Sequence, residues 1–189
     1  AVRDAPEEVI ALLATYQNDE SFFDSMRSRS SVIDAASNVE VAAWLIFLSK
    51  TAHGGLYRVN SSNVYNVPFG KRKAPRLCDA DKIRACSAAL QAASIECRSF
   101  ETTMSRARER DLVYCDPPYV KVKTTSFVGY TANGFTGEQH VKLRDIALAL
   151  RHRGVFVLIS NSDAPAVRDL YRGNGFHVER VPVLRQMAV

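Results

Sequence analysis

Several things are missing from this chain of 189 residues, and each absence narrows what it can be. No apolar run approaches the roughly 20 residues that a membrane-spanning helix requires; the densest patch, 41–48, is far too short. The start carries no signal-peptide pattern, and there is no internal repeat or low-complexity segment. The four cysteines (Cys78, Cys86, Cys97 and Cys115) form no Cys-x-x-Cys and have no histidine at metal spacing. That argues against a zinc module and predicts reduced, mostly buried thiols of an intracellular protein. The most telling absence is of acid. Between Glu40 and Asp79 there is none, while Lys50, Arg58, Lys71, Arg72, Lys73 and Arg76 supply six bases. The rest of the chain holds 19 bases against 20 acids, so the net charge of +5 sits in this one segment. A confined basic patch is the footprint of a polyanion partner or a solvated surface, and the local pattern has to decide between them.

What is present is ordinary for a globular protein: 47% hydrophobic and 24% charged residues, enough for one domain or a domain with a small lobe. Apolar spacing predicts helices over 5–16 and 19–29, and a third capped by Asp34 and running to about Lys50. Phe22, Phe23, Met26, Trp44, Phe47 and Leu48 are expected in the core. From His53 the pattern changes. Two alternating runs, 55–60 and 64–67, flank Ser61-Ser62-Asn63 and predict a β-hairpin at 55–67. Such a ribbon fits the major groove of duplex DNA and lies inside the basic window, which favours the polyanion reading.

Asp79 is expected to cap a helix to about Ala93. The remainder alternates: strand 94–99, helix 101–109, strand 111–115, helix 137–152, strand 154–160, helix 164–173, strand 176–183. This predicts an α/β fold with a largely parallel sheet. The insert at 120–136 is too polar for core and long enough to be functional. His140, His152 and His177 are expected on surfaces without partners and are assigned no role.

The strand at 111–115 runs straight into Asp116-Pro117-Pro118-Tyr119. Neither proline can donate a backbone hydrogen bond, and each restricts the residue before it, so the chain leaves the strand in one stiff conformation. A carboxylate, free carbonyls and a phenol ring are thereby gathered at the carboxyl end of a strand, where open α/β sheets bind ligands.

Together these residues resemble the Dam-type (D12 class) DNA adenine-N6 methyltransferases. The resemblance rests on Asp116-Pro117-Pro118-Tyr119, on Gly55-Leu56-Tyr57-Arg58-Val59-Asn60 followed by Tyr65-Asn66-Val67-Pro68-Phe69-Gly70-Lys71, and on Tyr130 to Phe135 before Glu138-Gln139-His140. Leu158-Ile159-Ser160-Asn161-Ser162-Asp163 also matches. The fold it implies is a partial Rossmann-like, S-adenosylmethionine-dependent methyltransferase fold with a helical and β-hairpin target-recognition insertion. Residues 1–93 would form the recognition region and 94–189 the C-terminal half of the catalytic domain.

The implied reaction is methylation of the N6 amine of an adenine flipped out of duplex DNA, with no metal. Asp116 and the Pro117 carbonyl would accept the two amine hydrogens, while Pro118 and Tyr119 complete the turn, Tyr119 as a stacking platform. Phe127 and Tyr130 would close over the base. Ser99 and Phe100, at the end of the preceding strand, would contact the adenine of S-adenosylmethionine beside Asp116, unless Phe100 is simply core. In the hairpin, Arg58 would read a guanine edge, Leu56 and Pro68 would touch bases, Asn60, Asn66 and Lys73 would hold phosphates, and Lys71 would also bind the DNA. The implied setting is the cytoplasm of a bacterium, or a phage-infected one, with the enzyme acting at the nucleoid as a monomer on double-stranded DNA, in some relatives within restriction–modification.

Three departures accompany the resemblance. His53-Gly54 replaces an aromatic-Asn pair, Arg72 stands where an aromatic is common, and the Phe-x-Gly-x-Gly cofactor loop has no counterpart. Gly173-Asn174-Gly175 precedes an expected strand instead of following one. The expectation is therefore a fragment of a longer enzyme, poor at binding S-adenosylmethionine alone. Two alternatives stay open: a cytosine-N4 DNA methyltransferase, and a DNA-binding fragment without complete catalysis.

Overall fold

The computed structural model describes residues 1–123 and 135–183. They fall into two compact units, Ala1–Ile95 and a second beginning at Glu96.

The first unit is helical. Pro6 opens α1 (Pro6–Ala14), with Glu7 and Glu8 favourably placed at the positive end of the helix. The Asp19 carboxylate accepts from the Phe22 amide at 2.8 Å and starts α2 (Glu20–Ser28). The third helix, α3 (Asn38–Thr51), is capped by Ser37 and not by Asp34. Ser37 Oγ accepts from the Glu40 amide at 3.3 Å, and the Glu40 carboxylate accepts from the Ser37 amide at 2.9 Å. This reciprocal capping box satisfies two donors at once, and residues Ile33–Ala35 instead form a short 3-10 turn. Asp79 caps α4 (Ala80–Leu90) as expected.

Phe47 on α3 is the centre of the core. It is fully buried, with the rings of Tyr16 and Phe22 both packed edge-on at 5.4 Å. Trp44, also buried, donates from Nε1 to the Met26 carbonyl at 2.7 Å, so its polar edge is satisfied.

The hairpin forms between α3 and α4. Antiparallel bridges join Val59 to Tyr65 and Ala52 to Phe69. At its base, His53 donates to the Pro68 carbonyl at 3.0 Å and Gly70 to the Thr51 carbonyl at 2.8 Å. The strands meet so closely there that a Cβ on Gly70 would lie 2.7 Å from the Ala52 carbonyl oxygen. Gly54, with φ of 62°, turns the chain out of α3 in the left-handed region, where a side chain would be strained. Tyr65 and Val67 are buried and root the hairpin in the core.

The second unit contains α5 (Phe100–Ser105), β1 (Leu112–Cys115), α6 (Gly137–His152), β2 (Phe156–Ile159) and α7 (Pro165–Tyr171). The two strands are parallel, pairing Leu112 with Phe156, Val113 with Val157, Tyr114 with Leu158 and Cys115 with Ile159. Alternation sends Val113, Cys115, Val157 and Ile159 against the core that also holds Met104, Leu143, Ala147 and Leu150. It sends Leu112, Tyr114, Phe156 and Leu158 to the other face, where each is more than half exposed.

The strands expected at 94–99 and 176–183 are not formed. Residues 94–99 are exposed, with Glu96 paired to Arg98 and Arg106, and Val181 and Val183 are about three-quarters exposed. A strand needs a ladder partner, and no described residue supplies one to either segment. The sheet therefore has two described strands where a larger one was expected.

Two side-chain expectations are also corrected. The cysteines are free, but Cys86 and Cys97 are exposed and Cys78 and Cys115 only half-buried. His140 is buried, not superficial, with Phe135 packed edge-on at 4.7 Å. Burial there pushes its pKa below the usual histidine range. Among the described residues no helix is long and apolar enough to cross a membrane.

Candidate functional site

β1 delivers Asp116 to its carboxyl end, and the next strand holds it there. The Ser160 amide continues the ladder by donating to the Cys115 carbonyl at 3.0 Å. Its hydroxyl then donates to Asp116 Oδ1 at 2.6 Å, a short charge-assisted bond. Pro117 is buried, while Asp116, Pro118 and Tyr119 are exposed, so the turn is rooted by one proline and presents the acid and the ring.

The exit of the turn is fixed as firmly as its entry. Val120 is buried against Ala164, Val167, Leu170 and Tyr171. Its amide donates to Asn161 Oδ1 at 3.2 Å, and its carbonyl accepts from Ser162 Oγ. Asn161 Oδ1 also accepts from the Ser162 amide at 2.8 Å. Three consecutive residues after β2 thus brace both ends of Asp116-Pro117-Pro118-Tyr119. The Asn161 side-chain nitrogen is buried with no hydrogen-bond partner among the described residues, which leaves a donor beside the turn. Burial pushes the Cys115 thiol up, which disfavours its thiolate form.

Ser160, Asn161 and Ser162 had no individual role in the sequence reading. Their signal was a polar triplet directly after an apolar run, at the end of the strand that neighbours β1.

Ser99 and Phe100 lie differently from expectation. Ser99 ends no strand; it is the N-cap of α5, its Oγ accepting from the Thr102 amide at 3.3 Å. Phe100 is half-buried, its ring 5.5 Å from that of Phe135. Glu101 in the same turn is held down to about 2, first by its hydrogen bond from Lys142 at 2.8 Å. Phe127 and Tyr130 lie outside the described residues.

In the first unit, the hairpin presents Leu56, Arg58, Asn60, Pro68, Lys71 and Lys73 as exposed side chains, with Asn66 half-buried. Tyr65 Oη donates to the Leu56 carbonyl at 2.8 Å and fixes the approach to the first strand. The Asn60 side-chain carbonyl accepts from the amides of Ser62 and Val64, both at 3.0 Å, and so builds the tip. Asn66 Oδ1 accepts from Arg58 Nε. Lys71 Nζ lies 3.8 Å from the Glu20 carboxylate, a loose and exposed pair.

The family model for the D12 class N6 adenine-specific DNA methyltransferases matches residues 1–187. Among curated proteins, the chain is 40% identical over 183 residues to the Type II methyltransferase M1.LlaDCHI of Lactococcus lactis subsp. cremoris, covering 93% of the chain and 64% of that relative. It is 38% identical over 141 residues to the DNA adenine methylase of Escherichia coli strain K12, covering 74% of the chain and 50% of the relative. It is 34% identical over 139 residues to the DNA N-6-adenine-methyltransferase of Escherichia phage P1, covering 73% of the chain and 18% of the relative. The chain thus spans less than two-thirds of the length of the first and half that of the second. With a family match over nearly its whole length, the chain belongs to the D12 class of N6 adenine-specific DNA methyltransferases.

Proposed function

We propose that this chain carries the target-recognition and catalytic-turn portions of an enzyme that methylates the N6 amine of adenine at specific sites in duplex DNA. The observation that carries this reading is the rigid, exposed turn Asp116-Pro117-Pro118-Tyr119, braced at the end of parallel β1 in a chain of this family. Residues 1–93 serve recognition and 94–189 catalysis. The β1–β2 pair is read as part of a larger Rossmann-like sheet.

An exocyclic amine is a weak nucleophile because its lone pair is delocalised into the ring. Acceptance of its two hydrogens by Asp116 and the Pro117 carbonyl turns that lone pair outward. The base has to leave the duplex to reach the turn, and Tyr119 offers it a stacking surface. Orientation then supplies much of the rate.

The methyl donor of this reading is S-adenosylmethionine, whose sulfonium supplies an electrophilic methyl group. The residues present fit part of it. Phe100 offers half-buried aromatic surface, Asp116 a negative charge for a cationic centre, and Asn161 a buried donor without a partner among the described residues. Ser99 is already engaged at the start of α5, its Oγ accepting from the Thr102 amide and lying 3.1 Å from the Thr102 hydroxyl. The sequence contains no glycine-rich cofactor turn in the family's position. The enzyme acts as a monomer on DNA, in the cytoplasm where that DNA lies.

The test is Asp116→Ala in the complete protein, with methylated nucleosides identified by mass spectrometry. The expected product is N6-methyladenine, and the variant loses about a hundredfold or more in rate. N4-methylcytosine as the product would move the assignment to the cytosine enzymes. Undiminished methylation by the variant would remove Asp116 from the chemistry.

A further inference from the structure

Ser160 is surrounded by three polar groups on the rim of the sheet. Its Oγ lies 2.6 Å from Asp116 Oδ1, 3.1 Å from Tyr114 Oη and 3.5 Å from the Cys115 carbonyl oxygen. A serine hydroxyl has one proton to give. The carboxylate is the nearest and most strongly accepting neighbour, whereas the Cys115 carbonyl is remote and already accepts the Ser160 amide. The proton therefore goes to Asp116. The lone pairs of Ser160 are left to accept, and Tyr114 is the donor in place to use one.

The bonds run in one direction, from Tyr114 to Ser160 to Asp116. The topology explains why these three meet. Tyr114 and Asp116 are two residues apart and share a side of β1, and Ser160 stands beside Asp116 one step beyond the Cys115–Ile159 pair.

We propose that Ser160, oriented by Tyr114, is a positioning residue that decides which carboxylate oxygen of Asp116 meets the substrate amine. Oδ1 is engaged by the serine, so Oδ2 is the oxygen that accepts from the amine, and the carboxylate plane is fixed by a strand other than its own. The inference rests on the reading of Asp116 given above. A carboxylate that swings about its Cα–Cβ bond meets the amine in the right geometry for only part of the time, and misplacement by about 1 Å costs on the order of a hundredfold in rate.

The experiment measures single-turnover methylation, the KM for DNA and the fluorescence of 2-aminopurine at the target position, all in the complete protein. The variants are Ser160→Ala, Ser160→Thr, Tyr114→Phe and Asp116→Ala. Ser160→Ala is expected to slow the methyl-transfer step by about ten- to a hundredfold. Its KM for DNA and its 2-aminopurine signal stay at wild-type levels, because the serine neither binds DNA nor flips the base. Ser160→Thr, which keeps the hydroxyl, restores most of the rate, and Tyr114→Phe slows it by a smaller factor. A wild-type rate in Ser160→Ala, or a Ser160→Thr enzyme as slow as the alanine variant, overturns the assignment while Asp116→Ala remains inactive. If Asp116→Ala methylates normally, the underlying reading of the turn has failed instead.

Discussion

Arg58 Nε donates to Asn66 Oδ1 at 2.8 Å across the hairpin, and its Nη2 lies 3.4 Å from the Asn66 backbone carbonyl. Asn66 thereby engages Nε and one Nη2 hydrogen, and the exposed guanidinium keeps Nη1 and the second Nη2 hydrogen as donors. Arginine matches the O6 and N7 acceptors of guanine when its fork is presented in this way. Arg58→Ala is expected to relax discrimination at one base pair by about 1–3 kcal/mol. Asn66→Ala should relax the same base pair by less, because the arginine survives but loses its brace. Methylation rates on duplexes altered one base pair at a time distinguish this from loss of a phosphate contact, which would weaken all duplexes alike.

Lys73 offers a different kind of contact. It is exposed beyond the hairpin and has no ion-pair partner among the described residues, unlike Lys71 and Arg76. A lysine on a phosphate adds affinity without sequence information. Lys73→Ala should weaken binding to every duplex, and a plot of log affinity against log salt should become shallower by about one. Titration at several salt concentrations gives the slope.

Tyr65 ties the hairpin to the core and makes its stability depend on alkali. Burial, with a smaller contribution from Tyr57, raises its pKa to about 12 from an ordinary value near 10. A group raised on folding contributes stability that is fully present below the unfolded pKa and lost as pH rises through the folded one. The first unit should therefore lose stability between about pH 10 and 12, and Tyr65→Phe should remove that part of the dependence. Denaturant melts at stepped pH values check the sign.

Phe47 carries the packing beneath the same hairpin. Replacing this fully buried ring by alanine should destabilise the protein by about 3–5 kcal/mol, since Tyr16 and Phe22 lose the surface they pack against. DNA binding is expected to fall in proportion to the unfolded population, and a melting curve with a matched binding titration shows whether the two move together.

Features set by neighbours in the chain were legible from sequence. The helix over 137–152 is legible at both ends because Thr136 and Gln139 mark its start and Arg151 and His152 suit its end. The hairpin followed from two short runs around a polar tip, and the stiff turn at Asp116 from two prolines after an apolar strand. What sequence reading missed depends on distant partners. Ser160 reaches Asp116 across 44 positions, a contact that exists only once β1 and β2 have taken their register. The segments at 94–99 and 176–183 have strand-like composition but no described neighbour to pair with. His140 was readable after all, since it falls on one helical stripe with Leu143, Ala147 and Leu150. Its polar character concealed that it belongs to the core.

The sealed base of the hairpin divides its residues by how freely they can evolve. Gly70, packed on Ala52, and the buried Tyr65 and Val67 answer to the fold, and exchange at these positions disturbs the protein before it reaches DNA. Leu56, Arg58 and Pro68 are exposed on a loop closed below them, so exchange at these positions leaves the fold intact. If this hairpin reads DNA as proposed, a lineage can acquire a new recognition sequence by changing a few exposed letters of one short segment, while the helices beneath and the turn at Asp116 stay as they are.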